Sequence, residues 1–302
     1  MIRRPLLKLA LGLGLAATYL AAPTAAQAAA QAPSGADPLQ LKVYNAGPNS
    51  FHVNSVLVTG ASEALLIDTG FTRADALRIA ADVLDSGKTL KTVLISNADP
   101  DFYFGAEAIK SVFPQVQVVA TAAVEAKIRA KLQDKLAFWV PKMGANAPVK
   151  PALPAVLNGT TLTVDGQAVE LRGTTGPLAH RPYVWIPSAR AIAGDLAVFG
   201  NLHVWTADTQ QVAERAAWIA QLDEMAALKP AIVVPGHMAA GTAQDASAIA
   251  YTRAYLTRFE SELAKAPNSA ALIEAMKQAY PQAGLPIALD IGAKVNKGEM
   301  KW

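Results

Sequence analysis

The chain has 302 residues, 52% of them hydrophobic, with 27 basic and 24 acidic side chains and no cysteine. That length supports a large core, as one big domain or two smaller ones, and the missing thiols exclude disulfides, thiolate nucleophiles and thiolate metal ligands. The small charge excess leaves no basic stripe, so a nucleic-acid partner is not expected.

Residues 1–28 read as an export leader. Met1 to Lys8 is a basic start, Leu9 to Ala22 is apolar, and Ala26-Gln27-Ala28 is a small-x-small cleavage site. The apolar run is short for a bilayer, so no membrane span is expected in the mature protein, which is predicted to be periplasmic or secreted. Arg3-Arg4 also resembles a twin-arginine motif, which leaves two export routes open. The leader holds Arg3, Arg4 and Lys8, so the remainder carries 24 basic residues against 24 acidic ones. Residues 29–40, rich in Ala, Gln and Pro, predict a flexible N-terminus.

From Leu41 the pattern turns to strand, over 41–44 and again over 50–58, with His52 inside the second. Thr72, followed three residues on by Asp75, predicts a capped helix with Leu77, Ala81 and Leu84 on its apolar face, ended by Gly87. A strand over 92–96, a helix from Gly105, a strand over 116–120 and a helix over 122–136 follow. Residues 136–154 contain four prolines and Phe138-Trp139; they predict a loop, either packed on the core or acting as a lid that brings Trp139 to a pocket. Asp165-Gly166 predicts a hairpin between strands 160–164 and 168–171, and Pro187-Ser188 another between 183–186 and 191–193. Helices are expected over 208–228, with Val212, Ala216, Ile219 and Leu222 on one face, over 242–265, and from an Asn268 cap to Tyr280.

The chemistry-bearing residues gather after apolar runs. Val93-Leu94-Ile95 leads into Asn97, Asp99 and Asp101 at alternate positions, then Phe102, Tyr103 and Gly105. Further segments are Asp68-Thr69-Gly70, Gly194-Asp195 and Pro235-Gly236-His237. In this order they resemble the landmarks of the metallo-β-lactamase superfamily, whose metal motif reads H-x-H-x-D-H-x-x-G. Asn97, Asp99 and Phe102 stand where three metal histidines belong, Thr174 stands near the place of another, and Asp101 and Gly105 match. The chain has four histidines, His52, His180, His203 and His237, too few for the family's dizinc site.

The resemblance implies an α/β fold: an αββα sandwich of two mixed sheets flanked by helices, spanning 41–245, with 246–302 as a helical extension. It implies that Asn97, Asp99, Asp101, Asp195 and His237 converge. Such a set can hold one divalent ion, zinc or manganese, that activates water against an ester, lactone, thioester or amide. Asp101 and Tyr103 are then the candidate catalytic groups, and His203, Trp205 and Trp139 the candidate substrate contacts. The missing histidines keep a second expectation open, a non-catalytic protein that binds a small molecule in the same pocket.

Overall fold

The computed structural model describes Met1 and residues 37–302. The rest of the leader and residues 29–36 lie outside the described residues. The end of the expected flexible segment is built into the fold, because Leu39 is buried and Gln40 opens the first strand.

The first sheet takes β1 (Gln40–Asn45), β2 (Asn54–Thr59), β3 (Glu63–Ile67), β4 (Thr89–Leu94), β5 (Gln117–Ala120) and β6 (Ala155–Val156) in that spatial order. Its first three strands run antiparallel, and β3 to β6 run parallel. Parallel neighbours need crossovers. These are α1 (Arg73–Asp85), the short α2 (Pro100–Tyr103), α3 (Ala106–Val112) and α4 (Ala122–Met143). The second sheet is built from β7 (Thr161–Val164), β8 (Gln167–Arg172), β9 (Tyr183–Ile186) and β10 (Ala191–Ala193); β11 (Phe199–Gly200), β12 (Ile232–Val233) and β13 (His237–Met238) follow. Its order is β12-β10-β9-β8-β7, while β11 and β13 form a separate parallel pair. Helices α5 (Val212–Ala227), α6 (Ser247–Lys265), α7 (Ser269–Ala279) and α8 (Pro286–Asn296) complete the described chain.

Strand alternation sorts the core into layers. Val56, Val58, Leu65 and Ile67 of the first sheet meet Val169, Leu171, Val184 and Ile186 of the second. Leu57, Ala64 and Leu66 point the other way, toward α1, α3 and α4. Tyr183, Trp185 and Ile192 face α5 to α8. The result is an αββα sandwich.

Four local expectations are corrected. His52 is in a turn at φ 57, not in a strand, because the chain makes a tight excursion over 48–53 before β2. Helix α1 has its expected cap, with Thr72 Oγ1 accepting the Asp75 N–H, but it buries Ala76, Ile79, Ala80 and Val83 while Leu77 and Leu84 are exposed. Two adjacent stripes satisfy the same helical spacing, and the close approach of Gly105 to Ala76 selects the one with small side chains. On α5, likewise, Arg215, Trp218, Leu222 and Met225 are buried and Val212 is exposed. Finally, α4 runs on to Met143 with Pro141 inside it, so residues 136–143 are helix. Pro141 removes one backbone donor from the last turn, and with only two residues beyond it the helix ends at Met143.

Candidate functional site: an aromatic cavity with an acid–imidazole end

Three loops are clamped together at one edge of the sandwich. Asp68, at φ 61, donates its N–H to the Leu94 carbonyl, and its carboxyl accepts the Ser96 N–H at 2.7 Å and the Ser96 hydroxyl at 2.6 Å. The Thr69 N–H then donates to the Phe102 carbonyl at 2.8 Å. Gly105 is required here, because a β-carbon would lie 2.1 Å from the Thr69 oxygen. The Gly-Asp and Pro-Gly-His segments pack backbone to backbone: the Gly236 N–H donates to the Val198 carbonyl, and Phe199 pairs with His237.

A cavity of about 180 Å³ opens at this edge. Asp99, Asp101 and His237 lie along it, with Trp139 and Trp205, so five of the residues singled out in the sequence share one space. Seven of its lining residues are Phe or Trp. Phe51, Phe71 and Trp139 form a corner with centroids 5.4, 5.5 and 5.2 Å apart, and Trp205 meets Trp302 edge-on at 5.0 Å. Leu285, Ile287, Ile291 and Met300, from α8 and the segments around it, close another side.

At the polar end His237 Nε2 lies 3.5 Å from Asp101 Oδ2. The Nδ1 atom is 2.9 Å from the Phe51 carbonyl. That oxygen can only accept, so Nδ1 carries the hydrogen and the neutral ring turns the lone pair of Nε2 toward Asp101. Burial lowers the His237 pKa to about 4. Its ring stands between Phe102, edge-on at 5.5 Å, and Phe199, stacked at 5.2 Å. Burial, with Asp99 adding to it, raises the Asp101 pKa well above the usual carboxylate range. The imidazole is therefore neutral at neutral pH, and burial favours the uncharged form of the acid it faces. Asp99 is also raised, by burial and then by Asp208, against the pull of Lys135, whose Nζ is 3.4 Å away.

The remaining sequence candidates are placed elsewhere. Asn97 is buried, and its Oδ1 accepts the Asp99 N–H at 3.0 Å, a turn-forming contact. Tyr103, expected as a catalytic group, is packed edge-on against Phe104 in the core beneath α1, and its hydroxyl has no partner among the described residues. His203, expected as a substrate contact, is buried with Nδ1 3.0 Å from the Tyr255 hydroxyl of α6. Asp195 is fully buried beside Leu196 in sequence and does not line the cavity; its Oδ1 accepts the Val198 N–H at 2.7 Å and Oδ2 has no partner among the described residues. Burial raises its pKa to about 7, with Arg181 acting against the rise. Arg181 is itself buried, with its guanidinium 4.0 Å from the Trp218 ring and two of its nitrogens unpartnered among the described residues.

This arrangement does not fit the expected ion. Among the described residues no three His, Asp or Glu side chains converge as a ligand set. Asp99 is turned to Lys135, Asp195 to backbone amides, and Phe102 contributes an apolar ring where a ligand is needed. A single orphan oxygen on Asp195 is not a donor set.

The sequence model of the metallo-beta-lactamase superfamily matches residues 49–237. The chain belongs to that superfamily, which includes hydrolases acting on small molecules and whose members usually bind divalent metals such as zinc. Its fold is similar to that of a metallo-beta-lactamase from Pontibacter korlensis, at 20% identity and TM-score 0.52 over 72% of this chain and 99% of that one. It is also similar to a metallo-beta-lactamase family protein from Thermus thermophilus, at 19% identity and TM-score 0.57 over 86% of this chain and 92% of that one. At these identities the likeness is one of fold. No curated protein matches the sequence.

Sequence reasoning missed Phe51, Phe71, Phe199, Lys135 and Trp302 as cavity residues. Phe199 had a local signal, four residues past Asp195. Trp302 and the α8 residues had none.

Proposed function

We propose that this protein is an exported member of the superfamily that binds a small molecule in the aromatic cavity without a resident divalent ion. The observation that carries the reading is the polar end of the cavity. There Asp101 faces the His237 lone pair, while Asp99 is turned to Lys135 and Phe102 packs edge-on against the imidazole. Rings around a confined space supply affinity through apolar burial, and one polar end supplies orientation. Elemental analysis and thermal melts with zinc and with manganese test it. Substoichiometric metal and no shift in Tm are expected; one ion per chain, or stabilisation by either metal, overturns it.

A second reading is metal-free hydrolysis of an ester or thioester, favoured by one observation: the neutral His237 Nε2 lines the cavity beside an acid. An imidazole nitrogen there can take a proton from water, and the imidazolium so formed can return it to a leaving group. Turnover of aryl esters that is lost in His237→Gln would select it over binding alone.

A further inference from the structure

We propose that the cavity takes a protonated amine on a compact, single-ring apolar body, with the ammonium between Asp101 and His237 and the body among Phe51, Phe71, Trp139 and Trp205. This rests on the reading of the cavity as a binding site and names the class of molecule it selects.

Three independent features converge. The first is size. A cavity of about 180 Å³ is slightly larger than the roughly 150 Å³ that encloses benzene, so one ring with a short substituent fills it. The second is wall chemistry. Trp139 meets Phe51 and Phe71 edge to face, Phe51 and Phe71 are tilted against each other, and Trp205 lies on the same cavity. Ring faces carry partial negative charge and attract a cation that has been taken out of water.

The third is an imbalance of donors. Asp101 Oδ2 and His237 Nε2 stand 3.5 Å apart, and Nδ1 spends its hydrogen on the Phe51 carbonyl. With the Asp101 carboxyl ionised by an incoming cation, two acceptors face each other across a gap that is long for a direct hydrogen bond. An ammonium N–H can serve both, whereas a carboxylate brings no donor and an alcohol brings one. The lysine on the cavity is already engaged: Lys135 Nζ lies 3.4 Å from Asp99 and 5.4 Å above the Trp302 ring. The cavity thus presents two acids against one lysine. A charge-assisted contact to Asp101 restores the balance and is stronger than its neutral counterpart.

The test is titration of the full mature chain with benzylamine, benzyl alcohol and benzoate in amine-free buffer, read by tryptophan fluorescence and by calorimetry. Benzylamine is expected to bind about tenfold more tightly than benzyl alcohol, with benzoate weakest. Asp101→Asn is expected to abolish that preference while benzyl alcohol binding is kept. Trp139→Leu, which leaves the carboxylate in place, is expected to weaken benzylamine and guards against a misfolded Asp101 variant. Benzyl alcohol or benzoate binding as tightly as benzylamine overturns the proposal and leaves the binding-site reading intact. A preference for benzylamine that survives in Asp101→Asn also overturns it. If none of the three binds, the cavity reading falls as well.

Discussion

Gly236 lies against Asp195 so closely that a β-carbon on it would sit 1.8 Å from the Asp195 carbonyl oxygen. The contact is backbone on backbone, so no side-chain rotation can relieve a larger residue. It holds the segment bearing the buried carboxyl to the segment bearing His237.

Gly236→Ala is accordingly expected to destabilise the fold by about 3 kcal/mol, the upper range for overpacking a rigid site. Urea unfolding measures it. A midpoint equal to that of the unmodified chain would show that the two segments separate without cost.

Arg181 should behave as an internal counter-charge. It is buried on Trp218, donates to the Leu196 carbonyl at 3.2 Å, and draws down the pKa of both Asp99 and Asp195. Arg181→Met is expected to cost about 3 kcal/mol, because it leaves buried acids with less compensation. Combining it with Asp195→Asn should recover part of that loss, and a double-mutant cycle with no coupling would refute the role.

Asp68 and Asp195 make stability fall as pH rises from the ordinary carboxylate range to neutrality. Burial raises their folded pKa values to about 8 and about 7, above the ordinary carboxylate value of 3.8. The folded state therefore holds protons that the unfolded chain has released, and stability declines as pH rises toward the folded values. The imidazoles of His180, His203 and His237 work in the opposite sense, being lowered from 6.5 to about 4, so their contribution is complete above pH 6.5. Between pH 6.5 and about 8 only the carboxyl effect remains of these. Asp68→Asn keeps a carbonyl for the Ser96 N–H and an amide for the Ser96 hydroxyl, and should flatten the decline in Tm over that window. An unchanged slope would exclude Asp68 as its source.

Restoring ligands tests the departure from the family motif. The variant combining Asn97→His, Asp99→His and Phe102→His is expected to gain zinc binding. Its Tm should rise with zinc concentration, by about 2.7 kcal/mol of stability at one hundred times Kd. The unmodified chain should show no such rise. A triple variant indifferent to zinc would mean that these positions do not converge on His237.

The sequence by itself determined the frame of the molecule. Short continuous apolar runs mark β2 and β3, the Thr72 cap set the start of α1, and the close glycines at 105 and 236 belong to motifs readable at short range. Those signals are local, since they come from backbone geometry and from periodicity within one element. Tertiary structure decided which acid meets which partner and what lines the cavity. Lys135 reaches Asp99 across 36 positions, Phe51 meets Trp139 from the far end of α4, and Trp302 closes on Trp205 from the end of the chain. Such contacts leave no mark on neighbouring residues. Periodicity also could not choose between Ala76, Ile79, Ala80 and Val83 and the adjacent stripe of α1, because both satisfy a helical repeat and only the closeness of Gly105 separates them.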